Sequence, residues 1–133
     1  MDKRNLQIAT AILAMVPVIS GFLGMMGLDD PLYKSLNLPR DATLDSNLRF
    51  YSGVWLGLGL LAFWLIPRID TESMLFRALW LMIFIGGLGR LISLFIVGLP
   101  FLPLVAFTLL EFVGPPLFIW WQHKISVNNV SVD

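Results

Sequence analysis

Long apolar runs separated by short polar breaks dominate this chain, and the runs exceed what a soluble core uses. Residues 5–28 carry no charged side chain. A helix needs about 20 such residues to cross the hydrocarbon of a bilayer. Three more runs follow at about 50–66, 74–97 and 99–121. In lipid every backbone N–H and C=O must find a partner inside the protein, so runs of this kind form helices. The pattern therefore predicts an all-α, integral membrane four-helix bundle, with residues 1–133 as a single membrane domain. Trp55, Trp64, Trp80, Trp120 and Trp121 fall mostly toward the ends of runs, where interfacial aromatics belong.

The polar breaks differ in kind. Residues 29–49 form the long one, carrying Asp29, Asp30, Lys34, Arg40, Asp41, Asp45 and Arg49 with Pro31 and Pro39 as breakers. Tyr33, Leu36 and Leu38 allow part of it to lie on the membrane surface or to cap the bundle. Residues 67–73 are short and charged, and Gly98-Leu99-Pro100 is an uncharged tight turn. Residues 126–133 read as a polar tail that frays. Met1-Asp2-Lys3-Arg4 looks like the start of a signal peptide. The run behind it is too long for one and lacks a small-x-small cleavage pattern, so it reads as an uncleaved anchor.

Composition agrees with the pattern. The chain is 57% apolar and 14% charged, with a mean hydropathy of +0.80. Soluble domains are about a quarter charged. Net charge is formally zero, so nucleic acid is not expected as a partner. There is no cysteine, and His123 is the one histidine, so neither a metal site nor a cofactor is expected. Lys3, Arg4, Arg68, Arg77 and Lys124 give five cations on the face that holds both termini, against three on the other, Lys34, Arg40 and Arg49. By the positive-inside rule both termini are expected in the cytoplasm.

Some helix faces are legible. Gln7, Thr10, Ala14, Pro17, Gly21 and Gly24 recur at steps of three and four, a stripe that should face the other helices. Small residues let membrane helices approach closely. Gly53-Val-Trp-Leu-Gly57 is a GxxxG match, and Gly86, Gly87 and Gly89 offer further close-approach positions, within the bundle or between copies in an oligomer. Gly86-Gly87-Leu88-Gly89 is no phosphate loop, since no strand precedes it.

Two ionisable residues interrupt the apolar runs: Arg90 and Glu111. Each costs several kcal/mol alone in lipid, so each needs a partner or a polar interior. Arg90 lies about 10 Å from the Val97 end of its run, and Glu111 roughly 15–18 Å below the Leu99 turn, by the helical rise. The tight turn makes these runs antiparallel neighbours, so the two residues should meet. Pro115 and Pro116 leave the carbonyls of Glu111 and Phe112 without their helical donors, adding acceptors at the same place. Ser93 shares the Arg90 face and Thr108 the Glu111 face, while Asn47, Arg49 and Tyr51 stand near the expected mouth. These seven residues form the candidate ligand or polar site. A buried ion pair that merely fixes helix register is an equal alternative at this stage.

The segments Asn47-Leu-Arg-Phe-Tyr-Ser-Gly53, Trp64-Leu-Ile-Pro67, Leu75-Phe-Arg-Ala-Leu79, Gly86-Gly-Leu-Gly-Arg90-Leu-Ile-Ser93 and Leu110-Glu-Phe-Val-Gly-Pro-Pro-Leu117 resemble a family of small bacterial membrane proteins known as domain of unknown function 4345. The resemblance covers almost the whole chain and is weakest in the first connection and the tail. It implies a four-helix membrane protein and no particular activity.

Three functions compete. The first is binding of an apolar small molecule or lipid, with Glu111 as acid, base or counter-ion and Arg90 holding a carboxylate or phosphate. Trp55, Trp64 and Phe107 would then line the cavity. The second is a proton relay or transport component. The third is a structural accessory subunit of a membrane assembly. The chain has no Ser/His/Asp arrangement, redox motif or nucleotide fingerprint, so the balance leans away from an enzyme without deciding it.

Overall fold

The computed structural model describes residues 2–130, with the side chains of Ser35 and of 128–130 left undescribed. Four long helices make up most of it: α1 (Lys3–Gly24), α2 (Ala42–Leu65), α3 (Ser73–Ile96) and α4 (Leu102–Val130). Among the described residues there is no strand. Each helix holds a stretch long and apolar enough to cross a membrane, within Lys3–Gly24, Ala42–Arg68, Ser73–Ile96 and Leu102–Val127. The protein is thus an all-α membrane protein.

Two boundaries move from their expected places. α2 begins at Ala42 rather than near Phe50, so the connection is shorter than residues 29–49. The cause is local: the Asp41 side chain accepts from the Leu44 amide at 2.9 Å and caps the helix, with Asp45 in its first turn. α4 continues to Val130, through most of the segment expected to fray. Residues 131–133 of that tail lie outside the described residues. The α3–α4 connection turns at Gly98, whose φ of +114° suits glycine and few other residues.

The described chain divides into two compact units. One holds Ile8–Ile66. There α1 and α2 come into backbone contact: a Cβ built on Gly21 would stand 2.6 Å from the Leu56 amide nitrogen, and one on Gly59 would stand 2.9 Å from the Val18 nitrogen. Of the α1 stripe, Thr10, Ala14, Pro17, Gly21 and Gly24 are all buried, and Gln7 is partly so. The Trp55 indole donates to Ser20 Oγ at 3.0 Å, which ties the helices by a polar contact as well. The GxxxG match does not act as a unit here. Gly53 meets the Met25 sulfur, whereas Gly57 is exposed and faces open space.

The connection in this unit is anchored by charge. Asp45 accepts the Leu28 amide at 3.0 Å and pairs with Arg49 at 2.7 Å. Arg49 Nη1 donates to the Met25 carbonyl at 2.6 Å, satisfying an acceptor just beyond the end of α1. Asp30 is 2% exposed and accepts the Leu32 amide, closing the next turn.

The second unit joins α3 and α4 with the first turn of α1, up to Gln7. Its core is aromatic: Trp80 packs on Phe118 with ring centroids 4.2 Å apart and meets Phe76 edge-on at 6.0 Å. Lys3 donates to Asp70 at 2.6 Å, fastening the N-terminal turn to the segment before α3. That hydrogen bond is the main reason the Asp70 carboxyl sits below its ordinary range.

Candidate functional site

Three turns of helix build the polar centre of the α3/α4 pair. On α3, Gly87 and Arg90 stand one turn apart and share a face. On α4, Thr108, Glu111 and Pro115 repeat at steps of three and four, and all three are buried. Gly87 is buried too, and it is where the helices touch. A Cβ built there would lie 3.0 Å from Glu111 Cβ and 3.2 Å from the Glu111 carbonyl oxygen. That carbonyl is the one Pro115 deprives of its helical donor. The missing side chain at 87 therefore lets α3 pack directly on the acceptor-rich turn of α4.

The expected meeting of Arg90 and Glu111 is present. Arg90 Nε lies 2.8 Å from Glu111 Oε2. The exposures are unequal: the Glu111 side chain is 8% exposed and that of Arg90 39%. Glu111 Oε2 receives no well-aligned hydrogen bond, so the contact is an ion pair rather than a fully formed charge-assisted bond. Among the described residues Arg90 has no second partner. One edge of its guanidinium is spent on Glu111, and its Nη groups remain available.

The other expected members are placed differently. Thr108 is 7% exposed, but its hydroxyl donates to the Leu104 carbonyl at 2.9 Å, within its own helix. Ser93 is exposed. Phe84 and Phe112 pack with tilted rings, centroids 4.9 Å apart, on the same two helices. Asn47, Arg49 and Tyr51 belong to the other unit and have surroundings of their own there. Arg49 is committed to Asp45 and the Met25 carbonyl, Asn47 is exposed, and Tyr51 is exposed with its ring edge-on to Phe50 at 5.6 Å. Among the described residues no cluster of His, Asp and Glu could hold a metal ion.

A second polar centre on α3 and α4 escaped the sequence reading. Gln122 is fully buried. Its amide nitrogen donates to the Ile69 carbonyl at 3.1 Å, to Ser73 Oγ at 2.5 Å and to Ser126 Oγ at 2.8 Å. Its amide oxygen accepts from Arg77 Nε at 2.8 Å. Arg77 Nη2 then lies 3.5 Å from His123 Nδ1. The available signal was the recurrence of Gln122 and Ser126 at i, i+4 opposite Ser73. It fell outside the apolar run that ends at Trp121.

No curated protein and no solved structure matches this chain. A family model does: it covers residues 5–122, which takes in all of α2 and α3, most of α1 and α4, and both polar centres up to Gln122. The resemblance carried by the Gly86–Ser93 and Leu110–Leu117 segments is thereby shown, and the chain belongs to the family described as Domain of unknown function (DUF4345).

Proposed function

We propose that the protein binds an amphiphile within the membrane, an apolar small molecule or lipid bearing a carboxylate or phosphate, at the Arg90–Glu111 centre. The observation that carries this reading is the half-used guanidinium. Arg90 is 39% exposed and meets Glu111 through one edge. In a membrane span an unfinished arginine is costly, and intramembrane charges of this kind mark ligand or ion pathways. Glu111 would neutralise the cation and hold its plane. The Nη groups would then take an anionic headgroup by two parallel hydrogen bonds, which a planar fork does better than a lysine. The apolar part of the ligand would lie along the exposed faces of α3 and α4.

The test is native mass spectrometry of the full chain released from gentle detergent, comparing wild type with an Arg90→Met/Glu111→Leu double variant. Removing both charges together avoids leaving either one buried alone, which costs about 3–5 kcal/mol in soluble precedents. The double variant should fold and should lack a bound species that the wild type carries. An identical adduct on both proteins refutes the reading. Proton flux in liposomes that needs Glu111, without any adduct, would favour a relay instead. We also propose that both termini face the cytoplasm, on the five-to-three cation count, in the bacterial membrane that the family resemblance implies. Reporter fusions at Leu38 and at the C-terminus decide this, and a periplasmic signal from the C-terminal fusion would reverse it.

A further inference from the structure

From the geometry around Gln122 we infer a second binding site, on Arg77 and His123 with Lys124 beside them, for the phosphodiester headgroup of an anionic lipid. It is separate from the Arg90–Glu111 centre and does not rest on the function proposed there.

The argument starts from Gln122, which is fully buried and hydrogen-bonded at both ends of its amide. Its nitrogen is held by Ile69, Ser73 and Ser126, so its oxygen has one direction left, and that direction is Arg77 Nε. The guanidinium is therefore held from behind by a neutral acceptor. The Nη groups stay in front, with Nη2 beside His123, and no carboxylate among the described residues pairs with them. Arg77 is half-buried and its guanidinium meets no acid among the described residues, so its charge is aimed and left uncancelled.

His123 extends the donor set. Its Nδ1 lies 3.5 Å from Arg77 Nη2. With Nδ1 as acceptor, the ring proton sits on Nε2, and the imidazole offers a second N–H beside the guanidinium. His123 and Lys124 are exposed, on the turn of α4 after Trp120. Lys124 Nζ lies 5.1 Å from the Trp120 ring centroid, so that cation is also held near the span end. The nearest acids in sequence do not cancel this charge: Asp70 is taken by Lys3, and Glu72 is exposed and makes no capping hydrogen bond.

The level in the membrane selects the occupant. Arg77 stands in the second turn of α3, and His123 and Lys124 stand at the end of the membrane-capable part of α4. An exposed tryptophan in such a place marks the headgroup layer. A fixed guanidinium fork, an imidazole N–H and an ammonium at that depth match a phosphate that carries acyl chains. Because the Arg77 fork is already positioned by Gln122, little of its side-chain entropy is lost on binding.

The experiment uses the full chain in mixed micelles holding equal amounts of phosphatidylglycerol and phosphatidylcholine, with bound lipid counted by native mass spectrometry. Wild type should retain phosphatidylglycerol in preference. The preference should fall about fivefold for each of Arg77 and Lys124 removed, the size of one cation's contribution near a charged surface. Arg77→Gln tests the fork, and His123→Ala/Lys124→Ala tests the exposed pair. The latter leaves the Gln122 bonds untouched, so it decides the matter if Arg77→Gln fails to fold. No lipid preference in wild type, or one unchanged in the His123/Lys124 double variant, overturns the inference. Displacement of the lipid by an equal concentration of soluble glycerol phosphate overturns the assignment to a lipid.

Discussion

Alanine at Gly87 should destabilise the protein relative to alanine at Gly86, although the two positions are adjacent on one helix. Built Cβ atoms separate them. At Gly86 and at Gly89 the new methyl meets nothing within 4 Å, whereas at Gly87 it stands 3.0 Å from Glu111 Cβ and 3.2 Å from the Glu111 carbonyl carbon and oxygen. The obstructing atoms belong to backbone and to a Cβ, so no side chain can rotate away. Relief requires α4 to move at the turn that holds Glu111.

The magnitude follows from a comparison in which one effect cancels. Replacing glycine by alanine inside a helix gains up to about 1 kcal/mol from backbone entropy, and this gain is shared by all three positions. Inserting a methylene-sized group into a packed contact costs about 1–3 kcal/mol. The gap between Gly87→Ala and Gly86→Ala is therefore the overpacking cost alone, about 1–3 kcal/mol. Gly86→Ala and Gly89→Ala should each be neutral or stabilising. The assay is equilibrium unfolding in mixed micelles, followed by far-ultraviolet circular dichroism. A Gly87→Ala protein as stable as Gly86→Ala would show that α3 and α4 do not touch at this turn, and the geometry argued for the Arg90–Glu111 centre would fail with it.

Two further predictions come from the rest of the molecule. Gly21→Ala should cost about 1–3 kcal/mol, because its Cβ would lie 2.6 Å from the Leu56 backbone nitrogen, while Gly53→Ala should lie within about 1 kcal/mol of wild type, because a flexible Met25 sulfur at 3.3 Å can yield; equal melting of the two variants would contradict this. The Lys3–Asp70 pair predicts an acid dependence: the folded carboxyl binds its proton more weakly than the unfolded one at its ordinary 3.8, so its contribution is full above that value and is lost as pH falls through the lower folded one. Both side chains are partly exposed, so the effect should not exceed about 1 kcal/mol, and Asp70→Asn should flatten that part of the melting-temperature profile; an unchanged profile would refute it.

The sequence carried the elements well and the faces unevenly, for a physical reason. In α1 the small residues stand out from large apolar neighbours, so Thr10, Ala14, Pro17, Gly21 and Gly24 marked the buried face directly. In α2 from Gly53 onward and in most of α3 almost every position is apolar, and a helix stretch that is apolar all round carries no periodic signal to say which side packs. Hence Gly53-x-x-x-Gly57 looked like a contact although Gly57 faces open space, and Gly59 was passed over although it meets Val18. Likewise nothing in Gly86-Gly87-Leu88-Gly89 singles out its second glycine. The early start of α2 was missed because its first turns are polar. A run defined by hydropathy ends where the hydrocarbon ends, whereas the helix ends at its Asp41 cap.

The α3/α4 pair carries two polar centres, and their difference separates architecture from chemistry. At Gln122 each amide group has protein partners, and the neighbouring serines share their hydroxyls between them. Inside a low-dielectric core such saturation fixes helix register and leaves nothing over at the amide itself. At Glu111 the accounting stays open. The carboxylate oxygen facing Arg90 lacks an aligned donor, the carbonyl freed by Pro115 meets a glycine, and the arginine keeps its outer groups. Thr108, which could have closed the gap, bonds back to Leu104 instead. A pair serving register alone gains nothing from these open groups, since each unmet polar atom in lipid raises the free energy of the folded state. Their concentration within one turn of one helix contact is the observation on which the proposed site at Arg90 rests.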